Sequence, residues 1–174
     1  MNTPDTSRYR RTDSLRGLSV IAFLACLLAV AQPIRAAGWR NLEPLKSRRA
    51  DVERELGQPM QEQPGGSLNF KVTGGVVTVT FVDAKFVQTK KLSPDLEGTV
   101  LLIVLQHENS SDTPESLKLV NKSGFTREEK EAINVYYNQK DGLTYTFFNG
   151  RLKTTRYVPA TGQLVRAQKG QSKG

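Results

Sequence analysis

The stretch LNFKVTGGVVTVTF, residues 68–81, constrains this chain more than any other, because two alternating apolar runs flank a Gly-Gly pair. Side chains along a strand alternate between the two faces of a sheet. A two-residue turn at Gly74-Gly75, where both residues can take positive φ, pairs Val72 with Val77, Phe70 with Val79 and Leu68 with Phe81. All six then share one face, and Asn69, Lys71, Thr73, Val76, Thr78 and Thr80 take the other. A slip of one residue would turn every side chain over, so the pattern specifies an antiparallel hairpin with one buried face.

A second hairpin is predicted in GLTYTFFNGRLKTTRY, turning at Asn149-Gly150 and pairing Phe147 with Leu152 and Tyr145 with Thr154. Leu143, Tyr145, Phe147 and Leu152 fall on one face; Phe148, Arg151, Lys153 and Thr155 fall on the other. Arg156 then lands on the apolar face, a conflict that a β-bulge or the sheet margin resolves. A strand through Val135-Tyr136-Tyr137 joins this hairpin by the turn NQKDG. Six consecutive apolar residues, Val100–Leu105, predict a strand covered on both faces, between polar, turn-rich flanks.

Two short helices complete the expectation. Ser47 caps one from Arg48 to Leu56, ended by Gly57 and Pro59, and Thr126 caps another, with Glu129 completing a capping box. The fold class is therefore α+β: two short helices packed on an antiparallel sheet built from hairpins. Helix followed by hairpin occurs twice, as a duplicated unit would give. Residues 38–158 form this single domain, and the basic segment 159–174, poor in apolar residues, is expected to be a mobile tail.

Residues 1–37 have the order of an export signal. Arg8, Arg10, Arg11 and Arg16 precede the apolar run Leu18–Ala31, and small residues follow. Fourteen residues are short for a bilayer span, which takes roughly 20; an uncleaved anchor is the alternative. Cys26 is the only cysteine and lies inside that run, so cleavage leaves no thiol for a disulfide, a nucleophile or a metal site. Cleavage also removes five arginines and two aspartates, which takes the net charge from +8 to +5 (20 basic, 15 acidic). No acid follows Asp141, whereas Arg151, Lys153, Arg156, Arg166, Lys169 and Lys173 do, a block suited to anionic lipid or another anionic surface. Export sets nucleic acid aside as a partner and points to the periplasm or cell envelope.

Catalytic constellations are sparse. The chain has no HExxH, Walker or G-x-G-x-x-G motif, and no cofactor is implied. His107, the single histidine, follows the apolar strand; with an acid and a hydroxyl in a cleft it would suit a hydrolase, and without them it is a loop residue. Glu108 and Asp112 lack the dense spacing of a calcium loop. Asn109 and Asn121 begin glycosylation sequons. Two surfaces remain as candidates. Lys46, Arg48 and Arg49 gather at a helix start, where free N–H groups suit a phosphate or carboxylate. Phe148, Arg151, Lys153 and Tyr157 combine aromatic and basic side chains on the second face of the later hairpin, unless a helix covers it.

The segment containing Trp39, Leu42, Pro44, Leu45, Ser47 and Arg49–Pro59, followed by hairpins ending in DGLTYTFFNGRLKTTRYVP, resembles a group of small exported bacterial proteins of uncharacterised function. More distantly, DVERELGQP before antiparallel strands is similar to outer-membrane assembly lipoproteins of the SmpA/OmlA type, and the β-lactamase-inhibitor proteins share that architecture. This chain departs from the lipoproteins in having no cysteine placed for lipidation. The resemblance supplies no active-site residue; the expectation is an exported, non-enzymatic interaction module with an envelope protein as partner, or alternatively an anion- or ligand-binding domain using Lys46, Arg48 and Arg49.

Overall fold

The computed structural model describes residues 37–169; residues 1–36 of the predicted export signal, with Cys26, and residues 170–174 lie outside the described residues. Eight strands form one antiparallel sheet: β1 (Gln61–Glu62), β2 (Leu68–Val72), β3 (Gly75–Phe81), β4 (Val100–His107), β5 (Thr126–Lys130), β6 (Ile133–Asn138), β7 (Leu143–Phe148) and β8 (Arg151–Tyr157). Their spatial order is β1-β2-β3-β4-β8-β7-β6-β5. After β4 a long loop carries the chain to the far edge, and β5 to β8 return as a meander to pair with β4. Among the described residues three α-helices accompany them: α1 (Arg49–Leu56), α2 (Ala84–Lys90) and α3 (Thr161–Lys169). The α+β class follows from this set of elements.

The first hairpin keeps its predicted faces but not its predicted partners. Val72 faces Gly75, Phe70 faces Val77 and Leu68 faces Val79, so the loop is Thr73-Gly74. A two-residue shift in partner preserves every face. Its cause is β4: a Cβ on Gly75 would lie 1.9 Å from the carbonyl oxygen of Gln106. Gly75 is therefore a strand residue pressed against β4, and only Gly74, with φ 85°, turns the chain. The second hairpin turns where predicted, with φ 49° at Asn149 and 72° at Gly150, the two positive values a type I′ turn needs.

Burial is one-sided. Leu68, Phe70, Val77, Val79, Val100, Ile103 and Leu105 form a buried cluster closed by Val52 of α1 and by Leu42. Tyr136, Phe147 and Leu152 form a second with Leu119 of the β4–β5 loop; the rings of Tyr136 and Phe147 meet edge-on, 5.8 Å apart. A third, Val82, Val87 and Leu92, takes in Leu45, Leu101 and Ala167. The central strand β4 is not covered equally on both sides as its apolar run predicts. Leu102 and Val104 stay half-buried, and alternation slips at the irregularity opposite Thr80 and Phe81, where Leu101 joins the third cluster.

Four local expectations are corrected. Residues 126–130 form strand β5 rather than a helix; all five are exposed, so a helix there would have had no apolar stripe to bury. Pairing with β6 satisfies one side of their backbone instead, reinforced by Tyr137 donating to Glu128 at 2.9 Å and Arg127 to Asn134 at 2.8 Å. The second helix is α2, most of it in residues given no element by the sequence pattern and only its end, from Thr89, in the polar flank read as loop. Asp83 Oδ1 accepts from the backbone N–H of Phe86 at 2.6 Å, a cap that the polar composition obscured, and α2 precedes β4 rather than a hairpin. The expected mobile tail contains α3, held by polar contacts: Gln163 donates to the Pro44 carbonyl (3.3 Å) and Gln168 to that of Lys90 (2.9 Å), beside a buried Ala160. Ser47 does not cap α1 either. Its hydroxyl accepts the Glu43 N–H at 3.0 Å, and Asp51 accepts the N–H of Arg48, the actual N-cap residue, at 2.9 Å.

Candidate functional site

The side of the sheet opposite the helix-covered core carries two cross-strand ladders, each seven residues wide. One runs Lys71, Val76, Gln106, Thr154, Thr146, Val135, Glu128. The other runs Asn69, Thr78, Val104, Arg156, Thr144, Tyr137, Thr126. None of these fourteen is buried, and none belongs to a core cluster. Ile133 and Phe148, directly paired, continue the same face at one end, 43% and 47% exposed. Threonine and valine dominate because β-branched side chains suit a pleated surface while the hydroxyls keep it wettable.

A bulge between Thr146 and Phe147 decides which side chains belong to this face. Lys153 has no partner on β7, and beyond it β8 reverses its faces. Arg156 consequently points away from the core, which resolves the conflict seen in the sequence, and Thr155 turns inward to 3% exposure. Of the predicted aromatic-basic surface, Phe148 lies on the open face and Lys153 at the bulge, exposed. Arg151 donates to the Ser111 carbonyl at 2.6 Å, which ties down the loop after β4. Tyr157 is on the opposite side, against the first cluster; burial pushes its phenol up to about 12, with a smaller contribution from Tyr145. The bulge therefore splits the predicted group.

The basic helix start is engaged from within. Lys46 pairs with Glu43 at 3.1 Å. The guanidinium of Arg48 donates to the carbonyls of Asp95 (2.6 Å) and Glu97 (3.1 Å), clamping the turn before β4. Arg49 forms a two-bond pair with Glu62 (3.0 and 3.1 Å) and a third bond to Glu53 (2.8 Å). Hydrogen bonds to Glu62, then Glu53, hold its guanidinium above the usual range. The three cations thus turn to three separate places and do not converge on a ligand.

His107 ends β4, and its Nε2 lies 2.9 Å from the Thr155 hydroxyl. Asp112 acts on it only through its field; among the described residues no hydrogen bond joins them, and Asp112 accepts from Ser110 instead. With Thr155 almost fully buried, this pair stitches β4 to β8 in the core rather than presenting a nucleophile. Burial lowers the imidazole below its ordinary value and Asp112 opposes this weakly. The unfolded chain therefore takes up the proton first. Stability is expected to drop as the pH falls from about 6.5 toward the lower folded value, and to change no further below it. In urea melts between pH 7.5 and 5, His107→Gln should lose this component, and an unchanged pH dependence would contradict the assignment.

Among the described residues no group of three or more His, Cys, Asp and Glu side chains stands close enough to hold a metal ion. The chain matches no family model, no curated protein and no solved structure. The place of Arg156 in the middle of the open face escaped sequence reasoning, because which side chains of β8 lie on that face beyond Lys153 depends on the bulge. The only trace was Arg156 landing on the wrong side of an ideal hairpin.

Proposed function

We propose that this chain is an exported cell-envelope protein that works as a non-enzymatic interaction module, docking a protein partner on the open face of its sheet. The observation that carries this reading is the one-sided burial. The helices and the β4–β5 loop supply the three core clusters, while the ladders and the Ile133–Phe148 pair stay accessible. On a broad surface of half-exposed valine and threonine, Tyr137, Arg156 and Phe148 supply the aromatic and arginine side chains enriched at protein–protein interfaces, with Ile133 beside Phe148 at the apolar end. Export rests on the basic and apolar pattern of residues 1–37. Among the described residues no helix is long and apolar enough to cross a membrane. The internal pairing of Lys46, Arg48 and Arg49 favours the open face over the helix start as the binding surface.

The test is co-purification from solubilised envelope, comparing the wild type with an Ile133→Asp, Phe148→Asp variant. Both positions are exposed, so folding should persist by circular dichroism. A stoichiometric protein should accompany the wild type and be lost at least tenfold with the variant, roughly one hot-spot contact. Equal recovery with both, or none with either, would sink the reading.

A further inference from the structure

Arg156 is the middle residue of its seven-residue ladder, with Val104 on one side and Thr144 on the other. It is exposed, and among the described residues its side chain makes no hydrogen bond or ion pair. The other ladder charges sit at the margins and are already engaged: Lys71 with Glu108 at 2.5 Å, Glu128 with the Tyr137 hydroxyl at 2.9 Å. We infer that Arg156 is the specificity point of the open face and receives a single carboxylate, an Asp or Glu side chain, from the docked protein. This rests on the open face being the docking surface.

A partner seated over the sheet would strip water from the guanidinium, and burying that charge without a counter-ion is strongly unfavourable. The planar fork of arginine matches a carboxylate with two parallel hydrogen bonds. Val104 and the methyl groups of Thr144 and Thr154 provide an uncharged surround in which that attraction is strengthened. A second copy docked about a two-fold axis through the centre of the face would set Arg156 against its own image, so self-association does not fit. Anionic lipid or nucleic acid surfaces are held by several cations at once, and the middle of this face offers one.

The experiment uses the full chain expressed in its own cell type, with a photoreactive benzophenone side chain in place of Thr144. Illumination should join it to another protein. That adduct should fall at least tenfold with Arg156→Glu and less with Arg156→Lys, as expected for a central arginine contact. In the Arg156→Lys background without the photoprobe, a water-soluble carbodiimide should couple the new amine to an Asp or Glu of the same protein. A protein adduct that forms equally with Arg156→Glu overturns the carboxylate inference and leaves the open-face interface standing. An adduct with a second copy of this chain overturns the inference as well. No adduct, or one with lipid alone, overturns both.

Discussion

Gly142→Ala is expected to destabilise the domain by about 3–5 kcal/mol, combining steric overpacking with a backbone conformation unfavourable to side chains. Gly142 is buried in the turn immediately before β7, with φ 70°, and an added Cβ would lie 2.0 Å from the carbonyl oxygen of Val158. Neither partner can yield cheaply. The Val158 N–H donates to the Gly142 carbonyl at 2.8 Å, and Val158 leads directly into the buried Pro159 and Ala160. Relief of the clash must therefore move the exit of β8 and the approach to α3 together. Urea unfolding of the described domain checks this; a loss below about 1 kcal/mol would mean the two backbones separate without consequence.

Phe70→Ala should cost a similar amount, about 3–5 kcal/mol, the usual range for removing a buried phenylalanine. Phe70 is fully buried opposite Val77, within the cluster that α1 closes with Val52. Truncation leaves a cavity that the sheet cannot collapse into, because β2 is held in register by β3 on one side and by β1 on the other. Phe148→Ala is the internal control. Phe148 is 47% exposed on the open face, so its loss should stay within about 0.5 kcal/mol. If the two substitutions cost the same in urea melts, the one-sided burial on which the open face depends would be wrong.

Both hairpins were legible because alternation is a local property: Leu68, Phe70, Val77 and Val79 could share a face in only one parity. The partner of each residue was less legible. The loop moved to Thr73-Gly74 because Gly75 meets Gln106, a residue more than thirty positions away. The capping-box pattern at 126–129 competed with strand pairing, and the strand prevailed where no apolar stripe rewarded a helix. Helix α2 went unread because its cap, Asp83, and its buried Val87 stand among polar neighbours that look like a loop. Helix α3 was missed for a related reason, since its anchors are backbone carbonyls of Pro44 and Lys90.

The same division holds for function. Residues 1–37 determined the expectation of export by composition and order alone, and the period-two runs determined an antiparallel sheet with one wet and one dry face. Local chemistry also placed three cations at the start of α1, but only the folded chain supplied Glu62 and the carbonyls of Asp95 and Glu97 that occupy two of them. Tertiary structure likewise decided which face of β8 carries Arg156, since one extra residue at Lys153 reverses the parity of every side chain beyond it. Parity along a strand is local and can be read from residues, whereas register and bulges are settled by the strands on either side.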